Sequence, residues 1–178
     1  MKALYFICCL FICNLSFAQT KVYNASKEIK GTDYTYLCEV RNGVFVTLKN
    51  KKCVFRGLQQ ISNVSKSEVE EKDVPFLKND DASHAQVLTV CNEVLGQFFT
   101  TKMDKKHNPL VLNLFINSET GRITDVYFCF ATVQKCGEIP PEVYRDLELK
   151  LKKDVLFEPT EEGKKVNYIF RQTVFNQE

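Results

Sequence analysis

The sequence predicts an α+β protein: an N-terminal antiparallel β-meander followed by an α-β-β-α-β unit, with two helices packed on an antiparallel sheet. Three observations carry this reading. β-Favouring residues flank Asn42-Gly43, a dipeptide suited to a hairpin turn. From Pro109 the chain reads PLVLNLFIN, SETGR, ITDVYFCFATV, which is strand, tight turn, strand. Two segments with apolar residues at helical spacing bracket that hairpin, and an alternating segment, Val166–Phe175, closes the chain.

At the N-terminus, Lys2 precedes an apolar run, and Ser16-Phe17-Ala18 precedes Gln19. A positive start, an apolar stretch and small residues at −3 and −1 make a secretory signal peptide, expected to be cleaved between Ala18 and Gln19. The run is shorter than the roughly 20 residues of an ordinary transmembrane helix. A lipid anchor on Cys13 is disfavoured by Ile12, bulky where a small residue is expected. The protein is therefore expected to be exported to the periplasm or secreted, with no transmembrane segment once residues 1–18 are removed. The organisation read from the sequence is signal peptide 1–18, β-meander 19–57, polar linker 58–82 and α+β unit 83–178.

The formal net charge is +2, of which Lys2 carries one. Such a balance argues against nucleic acid, which needs a basic stripe to neutralise phosphates. Five of the eight cysteines lie beyond the leader: Cys38, Cys53, Cys91, Cys129 and Cys136. None is spaced as CxxC, and only His84 and His107 offer imidazoles, so no metal and no cofactor is expected.

In the meander, Tyr34–Val40, Val44–Leu48 and Cys53–Arg56 read as strands, and 21–30 as a polar lead-in. A two-residue turn at Asn42-Gly43 places Cys38 opposite Thr47. A middle strand then separates Cys38 from Cys53 by roughly 9 to 10 Å, beyond the Cα separation of about 7 Å that a disulfide spans. Asp81 or Ser83 is placed to cap a helix running from about His84 to Met103, whose apolar face holds Val87, Val90, Cys91, Val94, Leu95, Phe98 and Phe99. Cys91 on that face reads as a small buried hydrophobe, and His84, two turns away, is badly placed to activate it. Leu110, Leu112, Leu114 and Ile116 form the core side of the next strand, and Gly121 supplies a positive φ for the turn. Both faces of the following strand are apolar, which marks a central strand covered on both sides or one face awaiting a partner. Pro140-Pro141 opens the second helix, which has Glu142 in its first turn and Lys150, Lys152 and Lys153 near its end. Val143, Leu147, Leu151 and Val155, four apart, form its apolar stripe.

Several local features have an ordered family counterpart. Gly121-Arg122-Ile123 and Val126 lie in the hairpin, followed by Phe157-Glu158-Pro159, then Gly163-Lys164-Lys165-Val166 and Phe175. With the order helix, strand, turn, strand, helix, strand, residues 83–176 resemble the C-terminal domain of TonB-type energy transducers. The resemblance implies that fold and a cell-envelope setting. It does not imply energy transduction, because the family's membrane anchor and proline-rich spanner have no counterpart before this unit, where a signal and a meander stand instead. The chain as a whole also resembles small secreted proteins of Bacteroides-type bacteria, whose leaders often end Ala-Gln.

No GxSxG, HExxH, P-loop or GxGxxG motif is present. Asp80-Asp81 and Glu161-Glu162 read as solvated acidic pairs, so no catalytic residue is assigned. The expected function is non-catalytic binding of a cell-envelope protein or peptide, by addition of an extended strand to the C-terminal sheet. The alternatives are a secreted inhibitor-like module, for which a QxVxG-type loop is missing, and an enzyme with an unrecognised site. The closing strand, last in the chain, is expected at a sheet edge. The candidate partner-binding residues are Tyr168 and Phe170, which would supply side-chain contacts, and Lys164, Lys165 and Arg171, charges that discourage indiscriminate pairing while leaving the edge usable. On this reading a proline at Ile169 removes an edge donor.

Overall fold

A computed structural model of the chain describes residues 22–55, 59–69, 75–99 and 109–176. The expected leader with its Cys13 alternative, Arg56, Met103 and His107 lie outside the described residues. Strands β1 (Lys27–Lys30), β2 (Thr35–Arg41), β3 (Phe45–Asn50), β5 (Leu110–Ile116), β6 (Ile123–Ala131) and β8 (Ile169–Phe175) form one antiparallel sheet. Its order is β1-β2-β3-β6-β5-β8. Helices α1 (Asp80–Leu95) and α2 (Pro141–Asp154) cover one face. The short strands β4 (Leu77–Lys78) and β7 (Glu158–Pro159) pair with each other as a second small sheet.

The predicted class therefore stands, with the meander and the C-terminal strands joined edge to edge. β3 pairs with β6 through Val46↔Phe130 and Leu48↔Phe128. The apolar periodicity locates the core: Cys38, Val46, Leu48, Leu110, Leu112, Leu114, Val126 and Phe128 face the helices and are buried with Val87, Cys91, Leu147 and Leu151. β6 has neighbours on both sides, as its two apolar faces indicated.

Four expectations of local structure are corrected. First, the meander is β1-β2-β3; Cys53–Phe55 is not a strand. After β3 the chain turns, with Cys53 N–H donating to Asn50 C=O (3.1 Å) and Val54 N–H to Asp125 Oδ2 (3.1 Å). It then crosses to the sheet face away from the helices, because β6 already occupies the free side of β3. β1, read as polar lead-in, escaped notice because a short edge strand is protected by charge, here Lys27, Glu28 and Lys30.

Second, the β2–β3 register is one residue off the expected one. Asn42 and Gly43 both take positive φ (52° and 66°) and Val44 N–H closes the turn onto Arg41 C=O. Pairing resumes only at Arg41↔Phe45, because the Val44 carbonyl is drawn away to Thr132 N–H (2.7 Å). Cys38 thus faces Leu48, not Thr47. None of the five described cysteines is joined in a disulfide. Cys38 and Cys53 are unbonded as expected, but for another reason: Cys38 points into the helix-covered core, whereas the Cys53 thiol meets the Tyr127 hydroxyl on the opposite face (3.1 Å).

Third, α1 starts earlier than predicted. Its N-cap is Asn79 in the left-handed region (φ 50°) without a side-chain cap bond, so neither Asp81 nor Ser83 caps it, and a 3₁₀ turn at Gly96–Phe98 follows. Asp80-Asp81 is the first turn of this helix, where carboxylates oppose the positive end of its dipole. The span 58–82 expected as linker holds β4, this first turn, and a segment bridged to the C-terminal part at Ser62↔Val166.

Fourth, the closing strand begins at Ile169; Gly163–Lys165 is a 3₁₀ turn.

Of the residues named for the family resemblance, Gly121 and Phe157 meet in space. Gly121, at φ +70°, receives the Phe157 N–H on its carbonyl (3.0 Å), and a Cβ there would lie 1.9 Å from the Phe157 carbonyl oxygen. Arg122 Nη1 donates to Lys153 C=O at the end of α2 (2.9 Å). The hairpin turn is thereby locked to the exit of the second helix.

Candidate functional site

An antiparallel sheet has two edges, and they differ. β1 is four residues long and rich in charge. β8 is seven residues long and pairs with β5 alone among the sheet strands, from Leu110↔Phe175 to Ile116↔Ile169. The expected edge position of the closing strand is thus observed.

Backbone direction along β8 follows from one hydrogen bond. Phe170 N–H donates to the Gln60 side-chain carbonyl (3.0 Å), so it points away from β5. N–H and C=O alternate sides along a strand, so Gln172 and Val174 also point outward, while Ile169, Arg171, Thr173 and Phe175 bond to β5. The start of the edge is occupied. Asn63 N–H donates to Lys165 C=O (2.7 Å), Asn167 N–H to Ile61 C=O (3.0 Å), and Arg171 Nη1 to Phe170 C=O (2.9 Å). What remains uncovered among the described residues is the outward backbone of Gln172 and Val174, with both side chains exposed.

The five residues singled out from the sequence have different fates. Tyr168 is buried, its ring 4.6 Å from that of Phe55 and 5.5 Å from that of Phe115. It is therefore core of the second face and not a contact surface. Phe170 packs on Phe115 (5.6 Å) yet keeps 39 % exposure beside the open edge. Arg171 turns to the helix side, where its Nε donates to Asp80 Oδ2 (2.8 Å) and ties β8 to the start of α1. Lys164 and Lys165 pair with Glu161 and Glu162 one turn away, exposed pairs worth little in stability. Ile169 is fully buried and its N–H faces β5, so a proline there breaks the ladder and does not probe the edge.

Sequence reasoning missed Gln172 and Val174. Their signal was alternation with buried Thr173 and Phe175, visible only once strand direction is known. It also missed a cavity of about 220 Å³ between the first turns of α1 and β8, lined by Asp80, Asp81 and His84 on the helix and by Arg171, Gln172 and Thr173 on the strand. Phe157 contributes an apolar wall. Asp80 is held by Arg171, and His84 Nδ1 lies 3.3 Å from the Thr173 hydroxyl. Asp81 is exposed and makes no ion pair among the described residues.

His84 is thus turned to Thr173 and not to Cys91, which is fully buried, its thiol pushed up to about 12 by desolvation. Burial raises the Cys136 thiol to about 12 as well. Neither is a thiolate near neutral pH. Among the described residues, no group of three or more His, Cys, Asp or Glu is arranged to hold a metal ion, and no helix is long and apolar enough to cross a membrane.

A family model described as a domain of unknown function (DUF5043) matches residues 19–172. Among solved structures, the crystal structure of a DUF5043 family protein from Bacteroides uniformis ATCC 8492 at 1.85 Å resolution is similar to this chain. The TM-score is 0.77 at 26 % identity, over 89 % of each chain. No curated protein matches.

Proposed function

Starting from the chain's membership of the DUF5043 family, we propose that it is a non-catalytic binding module of the cell envelope that captures an extended segment of a protein or peptide as a seventh strand on β8. The observation that carries this reading is the outward, uncovered backbone of Gln172 and Val174 on a strand otherwise fixed in the sheet. Unpaired N–H and C=O groups in a row are the template for strand addition, and main-chain bonds of this kind provide affinity without demanding one sequence. Phe170, Val174 and Val111 add apolar surface on the face away from the helices, where Val111 lies opposite Val174. The TonB-like order of elements over 83–176 and the signal-like leader support an envelope setting, with the exported chain beginning at Gln19.

The test places a photoreactive amino acid at Val174 and crosslinks in the native envelope. We expect a defined adduct at Val174 that disappears in a Gln172→Pro variant. That substitution removes an outward donor and no ladder bond, so the variant should fold, as its circular dichroism would show. Undiminished crosslinking in folded Gln172→Pro would rule out strand addition. For the envelope setting, intact-mass analysis of protein from its natural source should give a chain starting at Gln19; retained residues 1–18 or a lipid on Cys13 would refute it.

A further inference from the structure

The cavity adjoins the open edge, and its chemistry specifies what enters it. Residues directly opposite each other on neighbouring strands project to the same face. Arg171 and Thr173 project to the helix side, into the cavity wall. A residue of an added strand lying opposite either of them therefore projects between β8 and the first turns of α1. At about 220 Å³ the space is smaller than the roughly 300–1,000 Å³ of small-molecule sites and suits a single side chain.

Charge decides which one. The Arg171 guanidinium is engaged by Asp80 (2.8 Å), and His84 is engaged with Thr173. Asp81 remains the one lining carboxylate without an ion-pair partner among the described residues, and the apolar Phe157 lines the same cavity. A long aliphatic stem ending in a cation matches both walls, the stem on Phe157 and the charge at Asp81. We infer that the captured segment carries a Lys or Arg at one helix-facing position and seats it in this cavity. The inference rests on the strand-addition reading and adds its specificity.

The probe is a phage-displayed library of random heptapeptides selected against the full exported chain, with affinities of the selected synthetic peptides measured by fluorescence anisotropy. We expect Lys or Arg enriched at one position. Asp81→Asn should weaken the selected peptides about tenfold, and selection against Asp81→Lys should shift that position to Asp or Glu. Gln172→Pro should abolish binding of every selected peptide. If the peptides depend on Gln172 but show no basic enrichment and bind Asp81→Asn as tightly as the wild type, the cavity assignment is overturned and strand addition stands. If they bind Gln172→Pro undiminished, or no peptide is selected, strand addition falls and the assignment with it.

Discussion

At the scale of the residue, the most demanding position is Glu148. Its carboxylate is fully buried between α2 and the meander. It accepts from Lys152 (2.6 Å), the Tyr36 hydroxyl (2.8 Å), Arg145 (3.2 Å) and Asn50. Burial pushes its pKa up, but the bonds from Lys152, Tyr36 and Asn50 outweigh burial and hold it below the ordinary 4.5. A carboxyl whose pKa is lowered by folding contributes stability that is present above its unfolded value and lost as pH falls through the folded one. Wild-type protein should therefore lose stability on acidification below about pH 4.5, and Glu148→Gln should lose less between pH 7 and pH 3. Urea titrations of both at the two pH values check this. Glu148→Ala at pH 7 should cost about 3 to 5 kcal/mol, since it leaves buried partners unpaired.

At the scale of the element, α2 shows how counting in fours finds only part of a helical stripe. An α-helix repeats every 3.6 residues, so each step of four overshoots a turn by about 40°. Of the predicted stripe, Leu147, Leu151 and the C-capping Val155 are fully buried and Val143 packs half-buried against the core, but the buried face also takes in Tyr144 and Glu148. Tyr144 is absent from the stripe read in the sequence, yet it is fully buried. In the fold its hydroxyl donates to Cys136 C=O (2.8 Å), and the ring stacks on Phe130 at 5.3 Å. Leu147, at the centre of the stripe and fully buried, should cost roughly 2 to 5 kcal/mol when replaced by alanine. A loss below about 0.5 kcal/mol in chemical denaturation, typical of surface sites, would contradict this packing.

At the scale of the whole molecule, one sheet and one core unite segments that look separable in the sequence. β6, at the sheet's centre, has β3 on one side and β5 on the other. Tyr23 near the N-terminus donates to Ile139 C=O (2.9 Å), and Asp33 pairs with Arg145 on α2 (2.8 Å). Residues 83–178 expressed alone would leave β6 with an open edge and the Tyr144 side of the core uncovered. We expect that fragment to aggregate or remain unfolded, while residues 19–178 unfold in a single transition followed by circular dichroism and tyrosine fluorescence together. A soluble fragment with a cooperative transition of its own would show the two parts to be independent.

What the sequence by itself determined is local and periodic. Alternation placed Leu110, Leu112, Leu114 and Ile116 on the core side of β5. Gly121 marked the hairpin because a left-handed turn admits few other residues, and Pro141 marked the start of α2 because its missing N–H has no partner there in any case. The tertiary structure alone decided which strands pair, because edge-to-edge pairing uses backbone groups that every residue carries. Nothing in Val46 or Phe130 names the other as partner. The same reason kept the candidate site out of sight. Gln172 and Val174 matter for where their amides point, and Asp81 for standing without an ion pair among the described residues at a cavity built by α1 and β8.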